Sequence, residues 1–134
     1  MALTEMEHIS IADVSEYTPT LVAGGTGTFS TSRKCSYTKR GNVVCLSINV
    51  EINLTSVADE MFRLSLPYKS ASSGHGLISY GTKTSVIQPS YRCFVVDKNA
   101  TSFRIMNNGS SLTGSAIGTG NLILQGSIMY LTNE

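Results

Sequence analysis

The sequence predicts an all-β domain, an antiparallel β-sandwich or barrel, and three observations lead there. The first is composition: 19 Ser and 14 Thr accompany 12 Gly and 6 Tyr, and only 14% of the 134 residues are charged, against about 25% in an average soluble domain. Such a chain wets its surface with hydroxyls and amides, and Thr, Val, Ile and Tyr favour pleated, half-buried surfaces. The second is periodicity: from Arg33 onward apolar residues alternate with polar ones. The third is punctuation: turn residues recur at roughly the 8–12-residue spacing of sandwiches and barrels.

Several classes are excluded at once. A net charge of +1 with this apolar content does not describe a disordered chain. Nor does it describe a nucleic-acid binder with a broad basic face. No window approaches 18 uninterrupted apolar residues, so no transmembrane helix is expected. Cys35, Cys45 and Cys93 form an odd set without a CxxC pair, which argues against a disulfide framework or zinc site. They read as free thiols in a reducing cytosol. The first ten residues hold Glu5, Glu7 and His8 and no apolar run, unlike a secretory signal peptide. The sequons at Asn53, Asn99 and Asn108 then read as accidents of a Ser/Thr/Asn-rich chain.

Residues 1–16 hold four of the nine acids and little alternation. They form an N-terminal arm or connector, and residues 17–134 form the domain proper. Pro19 biases Thr18 toward extended geometry, and Gly24-Gly25-Thr26-Gly27 reads as a flexible turn. Strands are expected over 34–38 and 42–52 around an Arg40-Gly41 hairpin turn, glycine supplying positive φ. A turn pairing Lys39 with Asn42 sets Tyr37 opposite Val44 and Cys35 opposite Leu46. Cys45 then faces away from Cys35, and the two cannot bond. Phe62, Leu64 and Leu66 alternate with polar residues until Pro67. Residues 70–76 read as a Ser/Gly loop, and 77–80, 85–88, 91–96 and 101–106 as short strands. Residues 121–131 close the chain with Leu122, Leu124, Ile128 and Tyr130 in one phase. Val44, Leu46, Ile48, Val50, Ile52, Phe62, Leu64 and Leu66 are expected to share one core.

Catalysis needs titratable groups that can converge, and few are on offer. Asp59 and Glu60 are adjacent, so on a strand they would point to opposite faces. Asp97-Lys98-Asn99 reads as a turn. The 24–27 glycines lack the Gly-Lys-Ser/Thr ending of a phosphate loop. Arg33-Lys34 and Lys39-Arg40 flank Tyr37, but four charges on a hairpin ordinarily solvate it, and Tyr37 is needed for the core. His8 lies in the arm, and His75 lies between two glycines, where an imidazole is solvated or meets a ligand. Tyr80, Tyr91, Phe94 and Phe103 read first as core aromatics, with Tyr91 after Pro89-Ser90 placed for partial exposure. The candidate binding residues are therefore His75, Tyr80 and Tyr91. No catalytic residue, metal site or cofactor is expected, and neither a membrane nor a nucleic acid is expected as partner.

The order of several short motifs resembles the C-terminal domain of phage tail-fibre and related virion appendage proteins. They are Tyr17-Thr-Pro-Thr-Leu21 before a Gly/Thr-rich stretch, Tyr37-Thr-Lys-Arg-Gly-Asn42-Val-Val44, Leu64-Ser-Leu-Pro67 before a long loop, and a closing strand 122–130 containing Gly126. The resemblance spans residues 17–130. It implies an antiparallel, jelly-roll-like β-sandwich, commonly trimeric, that forms a receptor-binding fibre head on a virion. Its implied partners are further copies of itself (a homotrimer), the fibre shaft or other virion proteins, and a host-surface glycan or protein. Two other readings are a virion decoration or assembly protein without a receptor role, and a carbohydrate-binding or carbohydrate-active module. The residues independently supply a reason to associate: Val43 and Cys45 alternate with Ser47, and Ile123, Met129 and Leu131 lie out of phase with the core set. A strand apolar on both faces is buried on both.

Overall fold

The computed structural model describes residues 14–82, 92–107 and 109–134. His8, the strand expected over 85–88, Tyr91 and Asn108 lie outside the described residues. The elements in chain order are β1 (Ser15–Tyr17), β2 (Leu21–Ala23), β3 (Gly25–Phe29), β4 (Cys35–Arg40), β5 (Val43–Val57) and β6 (Arg63–Ser65). There follow β7 (Gly74–Gly81), β8 (Arg92–Val96), β9 (Ser102–Asn107), β10 (Ser110–Ser111), α1 (Gly114–Ile117) and β11 (Gly120–Leu131). Ser15 and Glu16, at the end of the expected arm, are already paired with β4.

All strands belong to one antiparallel sheet, in the order β1-β4-β5-β11-β7-β8-β9-β6-β2, with β10 beside β9 and β3 beside β5. The all-β antiparallel expectation holds. In place of two separate sandwich layers, this single sheet curls into a half-barrel. The cause lies in β5, which at 15 residues is long enough to host two neighbours end to end. Along one edge β4 pairs with Val43–Ser47 and β3 with Ile52–Val57. The other edge is taken by β11 from Val43 to Leu54. The last strand, β2, runs through Gly24 straight into β3, so the far edge of the sheet is tied back to its middle.

Gly24 makes that corner possible. Its φ is +101°, and a Cβ there would stand 2.7 Å from the Phe62 Cα, so only glycine fits. The 24–27 stretch is therefore a bend between two paired strands rather than a free turn. The one-turn helix α1, not foreseen from the sequence, braces the same corner. Thr113 caps it by accepting from the Ala116 N–H at 3.2 Å, and Gly114 and Ser115 N–H groups donate to the carbonyls of Glu60 and Ala58.

The β4–β5 turn uses Gly41 and Asn42, with Arg40 opposite Val43 and Gly41 at φ +56°. The expected register is corrected by two residues: Tyr37 faces Leu46 instead of Val44. A two-residue shift keeps every side chain on its face, so the inward set is unchanged. Phe62, Leu64 and the five even-numbered residues from Val44 to Ile52 are buried together with Leu122, Leu124, Ile128 and Tyr130, and Leu66 packs against them half-buried. Phe94 and Phe103 meet edge to face at 5.3 Å. Cys35 is buried and Cys45 exposed, and all three cysteines are free thiols.

Candidate functional site

Because the inward residues of each strand fill the core, the outward ones form a continuous convex face, readable row by row. Ser36, Ser47, Ser127, Leu77 and Cys93 lie side by side across β4, β5, β11, β7 and β8. In the next row stand Thr38, Cys45, Met129, His75 and Val95. Further along, Asn49, Gln125 and Tyr80 align on β5, β11 and β7.

His75 is thus not in a loop. The sequence suggested one because glycines flank it, but β7 begins at Gly74 and pairs His75 with Met129 and Val95. Those glycines sit on the inward side, where close strand contacts leave no room for a Cβ. Tyr80 also points outward, 49% exposed, beyond a register shift at Gln125/Gly126. Five residues of strand separate the two, roughly 16 Å at 3.3 Å per residue. His75 and Tyr80 therefore share a face but do not converge on one small ligand. Tyr91 lies outside the described residues.

The face has two chemically different halves. Around His75 it is apolar: Leu77 is 74% and Met129 62% exposed. With Thr38, Cys45, Ser47 and Ser127 they line a depression of about 510 Å³. Around Tyr80 it is polar and ordered. Arg33 donates to Glu51 Oε1 at 3.1 Å and to Asn49 Oδ1 at 3.2 Å. Gln125 donates to the same Asn49 oxygen, and Asn121 to Glu51 Oε2 at 3.0 Å. Sequence reasoning noted Cys45 and Met129 as outward apolar residues but missed Leu77 and this amide network. Only the pairing of β5 with β11 brings residues 70 or more positions apart together.

Comparison of the chain with family models, with curated proteins and with solved structures finds no match to any of them.

Several of the charged residues are paired with one another or with the backbone. Asp97 receives both ends of the Arg104 fork at 3.0 Å and stands 3.7 Å from Arg63. The hydrogen bonds from Arg104, aided by the charge of Arg63, hold the Asp97 carboxyl below its usual range. Asn99, at φ +59°, completes the turn expected there. Glu60 accepts from the Gly24 N–H at 3.0 Å. The basic hairpin is dispersed: Arg33 pairs with Glu51 and Lys34 with Glu16, and Lys39 lies over the Tyr68 ring. At the end of the sheet near the β4 hairpin, Tyr17, Tyr37 and Tyr68 pack edge to face. Tyr130 donates to the Tyr68 carbonyl at 2.8 Å and accepts from its N–H at 3.2 Å. Burial pushes the Tyr130 hydroxyl up to about 12 and raises Tyr17 and Cys35 as well. Among the described residues no three His, Cys, Asp or Glu side chains gather as metal ligands would. None of their helices is long and apolar enough to cross a membrane.

Proposed function

We propose that this chain is the head domain of a virion appendage, a non-enzymatic homotrimer that attaches the particle to the host surface. The observation that carries the reading is the convex face, where an apolar half suited to association adjoins an ordered polar half suited to recognition. The motifs that carry the resemblance support it, because they fall where the sheet is built. Tyr17 ends β1 and Leu21 starts β2, residues 37–44 make the β4–β5 hairpin, and Leu64 lies in β6 just before Pro67. Leu122 to Tyr130 lie in the closing strand β11.

The polar half fits a hydroxyl-rich receptor such as a glycan. Tyr80 offers a ring face with a polar tip. Beside it stand Gln125 and Asn49, and further along the same face Glu51 and Asn121; their amide and carboxylate groups, fixed by hydrogen bonds, lose little freedom when a ligand arrives. A glycan array probed with the labelled oligomer tests this. Binding should be seen for the native chain and fall at least tenfold in Tyr80→Ala. An oligomer silent on the array and on host cells would favour the assembly protein without a receptor role. Cleavage of an array polysaccharide would overturn the non-enzymatic reading.

A further inference from the structure

We propose that Cys45, Met129 and His75 form a binding site for Cu(I) on the convex face. The site stands apart from the fibre-head reading and does not depend on it.

Three adjacent strands supply one donor each. Met129 on β11 has Cys45 of β5 as its register partner on one side and His75 of β7 on the other. All three residues are exposed, and all three line the same depression of about 510 Å³. The Cys45 thiol is free. Directly opposed residues on one face of an antiparallel sheet have Cβ atoms about 4.5–5.5 Å apart, which sets Cys45 and His75 roughly 10 Å from each other across Met129. Metal bonds of about 2.0–2.3 Å to sulfur and imidazole nitrogen bridge that gap when the thiolate and the imidazole lean toward each other. The ion then sits over the middle strand, and the flexible thioether of Met129 rises to it. Donors carried on paired strands are held more precisely than donors on loops.

The donor set selects the ion. Thiolate and thioether are soft ligands that favour Cu(I), and imidazole suits copper as well. A structural zinc site takes four ligands from thiolates, imidazoles and carboxylates. Cys45 and His75 are two such ligands, and the lining of the depression adds no Asp or Glu. The same lining holds no Lys or Arg, so no fixed positive charge opposes a cation there. Other sulfur atoms are engaged within the fold. Cys35 is buried and bonded to the Asn49 backbone, and the Met61 and Met106 sulfurs accept from Arg63 and Arg104. Binding exchanges a proton for the metal: the Cys45 S–H bond breaks, an S–Cu bond forms, and the proton passes to solvent. Copper remains Cu(I) throughout.

Anaerobic titration of the reduced, full chain with Cu(I), in competition with a chromophoric Cu(I) chelator, tests the proposal. The native chain should bind one Cu(I). Cys45→Ser, Met129→Leu and His75→Phe should each weaken binding by at least about tenfold, and Cys93→Ser, at a half-buried thiol one row away, should leave it unchanged. X-ray absorption at the copper edge should show both sulfur and nitrogen donors. Zn(II) titrated in place of Cu(I) should bind more weakly, with no change in Met129→Leu. Circular dichroism checks that each variant remains folded, and the three substituted donors are exposed, so unfolding is not expected. A native chain that takes up no Cu(I) would overturn the site, as would binding that survives Cys45→Ser. A loss confined to Cys45→Ser would also overturn it, because a lone thiol would then account for the uptake.

Discussion

Leu46→Ala probes the centre of the fold. Leu46 is 2% exposed and lies on β5 between Tyr37 of β4 and Ile128 of β11. Truncation removes three carbons, worth about 2.4 kcal/mol at ~0.8 kcal/mol per buried methylene. Strands hydrogen-bonded on both edges of β5 hold the walls apart, so little collapse is available. A residual cavity of roughly 60 Å³ adds about 1.4 kcal/mol at ~24 cal/mol/Å³. The expected loss is about 4 kcal/mol, or roughly 12–16 °C in Tm at about 3–4 °C per kcal/mol for a chain of this length. Ser47→Ala, one residue on and outward, should cost less than about 0.5 kcal/mol. Urea and thermal melts of both variants, followed by circular dichroism, make the comparison. Equal losses would refute the reasoning, because they would place the two side chains in equivalent surroundings and the alternation one residue out of phase.

Further outcomes follow from other contacts. A Cβ on Gly126 would lie 2.8 Å from the Phe94 Cε2 and collide with the Leu77 carbonyl. Gly126→Ala should therefore destabilise by about 1–3 kcal/mol as an overpacked site, and a melt unchanged from the native chain would show that β7 and β11 are not so close. Tyr130 has its folded pKa raised to about 12, so its stabilising effect is complete below the unfolded value near 10 and is lost as pH rises through 12. Tyr130→Phe should lower stability at pH 7 by about 1–2 kcal/mol through the lost Tyr68 hydrogen bonds and flatten the alkaline decline in urea melts. Part of that decline should remain, since Tyr17 is raised in the same direction. Asp97 is shifted the other way: its contribution is present above the unfolded value near 3.9 and disappears as pH falls through the lower folded one. Asp97→Asn should flatten the acid limb by less than about 1 kcal/mol, because its side chain is 42% exposed and solvent screens the pair. An acid limb as steep as the native one would remove Asp97 from the account.

What the sequence determined by itself is the inward set. Strict alternation assigns Val44, Leu46, Ile48, Val50 and Ile52 to one face, and the parity of Leu122, Leu124, Ile128 and Tyr130 does the same for the closing strand. A two-residue error in the β4–β5 register left these assignments intact because a strand repeats every two residues. Cys35 and Cys45 were separated by the same rule. The curl of the sheet was not legible, because nothing local to β5 says that two strands will share one of its edges, or that Gly24 will turn β2 back into β3. Glycines misled in two places, at 24–27 and around His75. Glycine frees the backbone for turns, but it also admits close packing where a Cβ would collide, and only the neighbouring strand decides which applies. The two halves of the convex face were likewise a product of pairing. Leu77 and Met129, or Asn49 and Gln125, are distant in sequence and become neighbours only when β5, β11 and β7 are laid side by side.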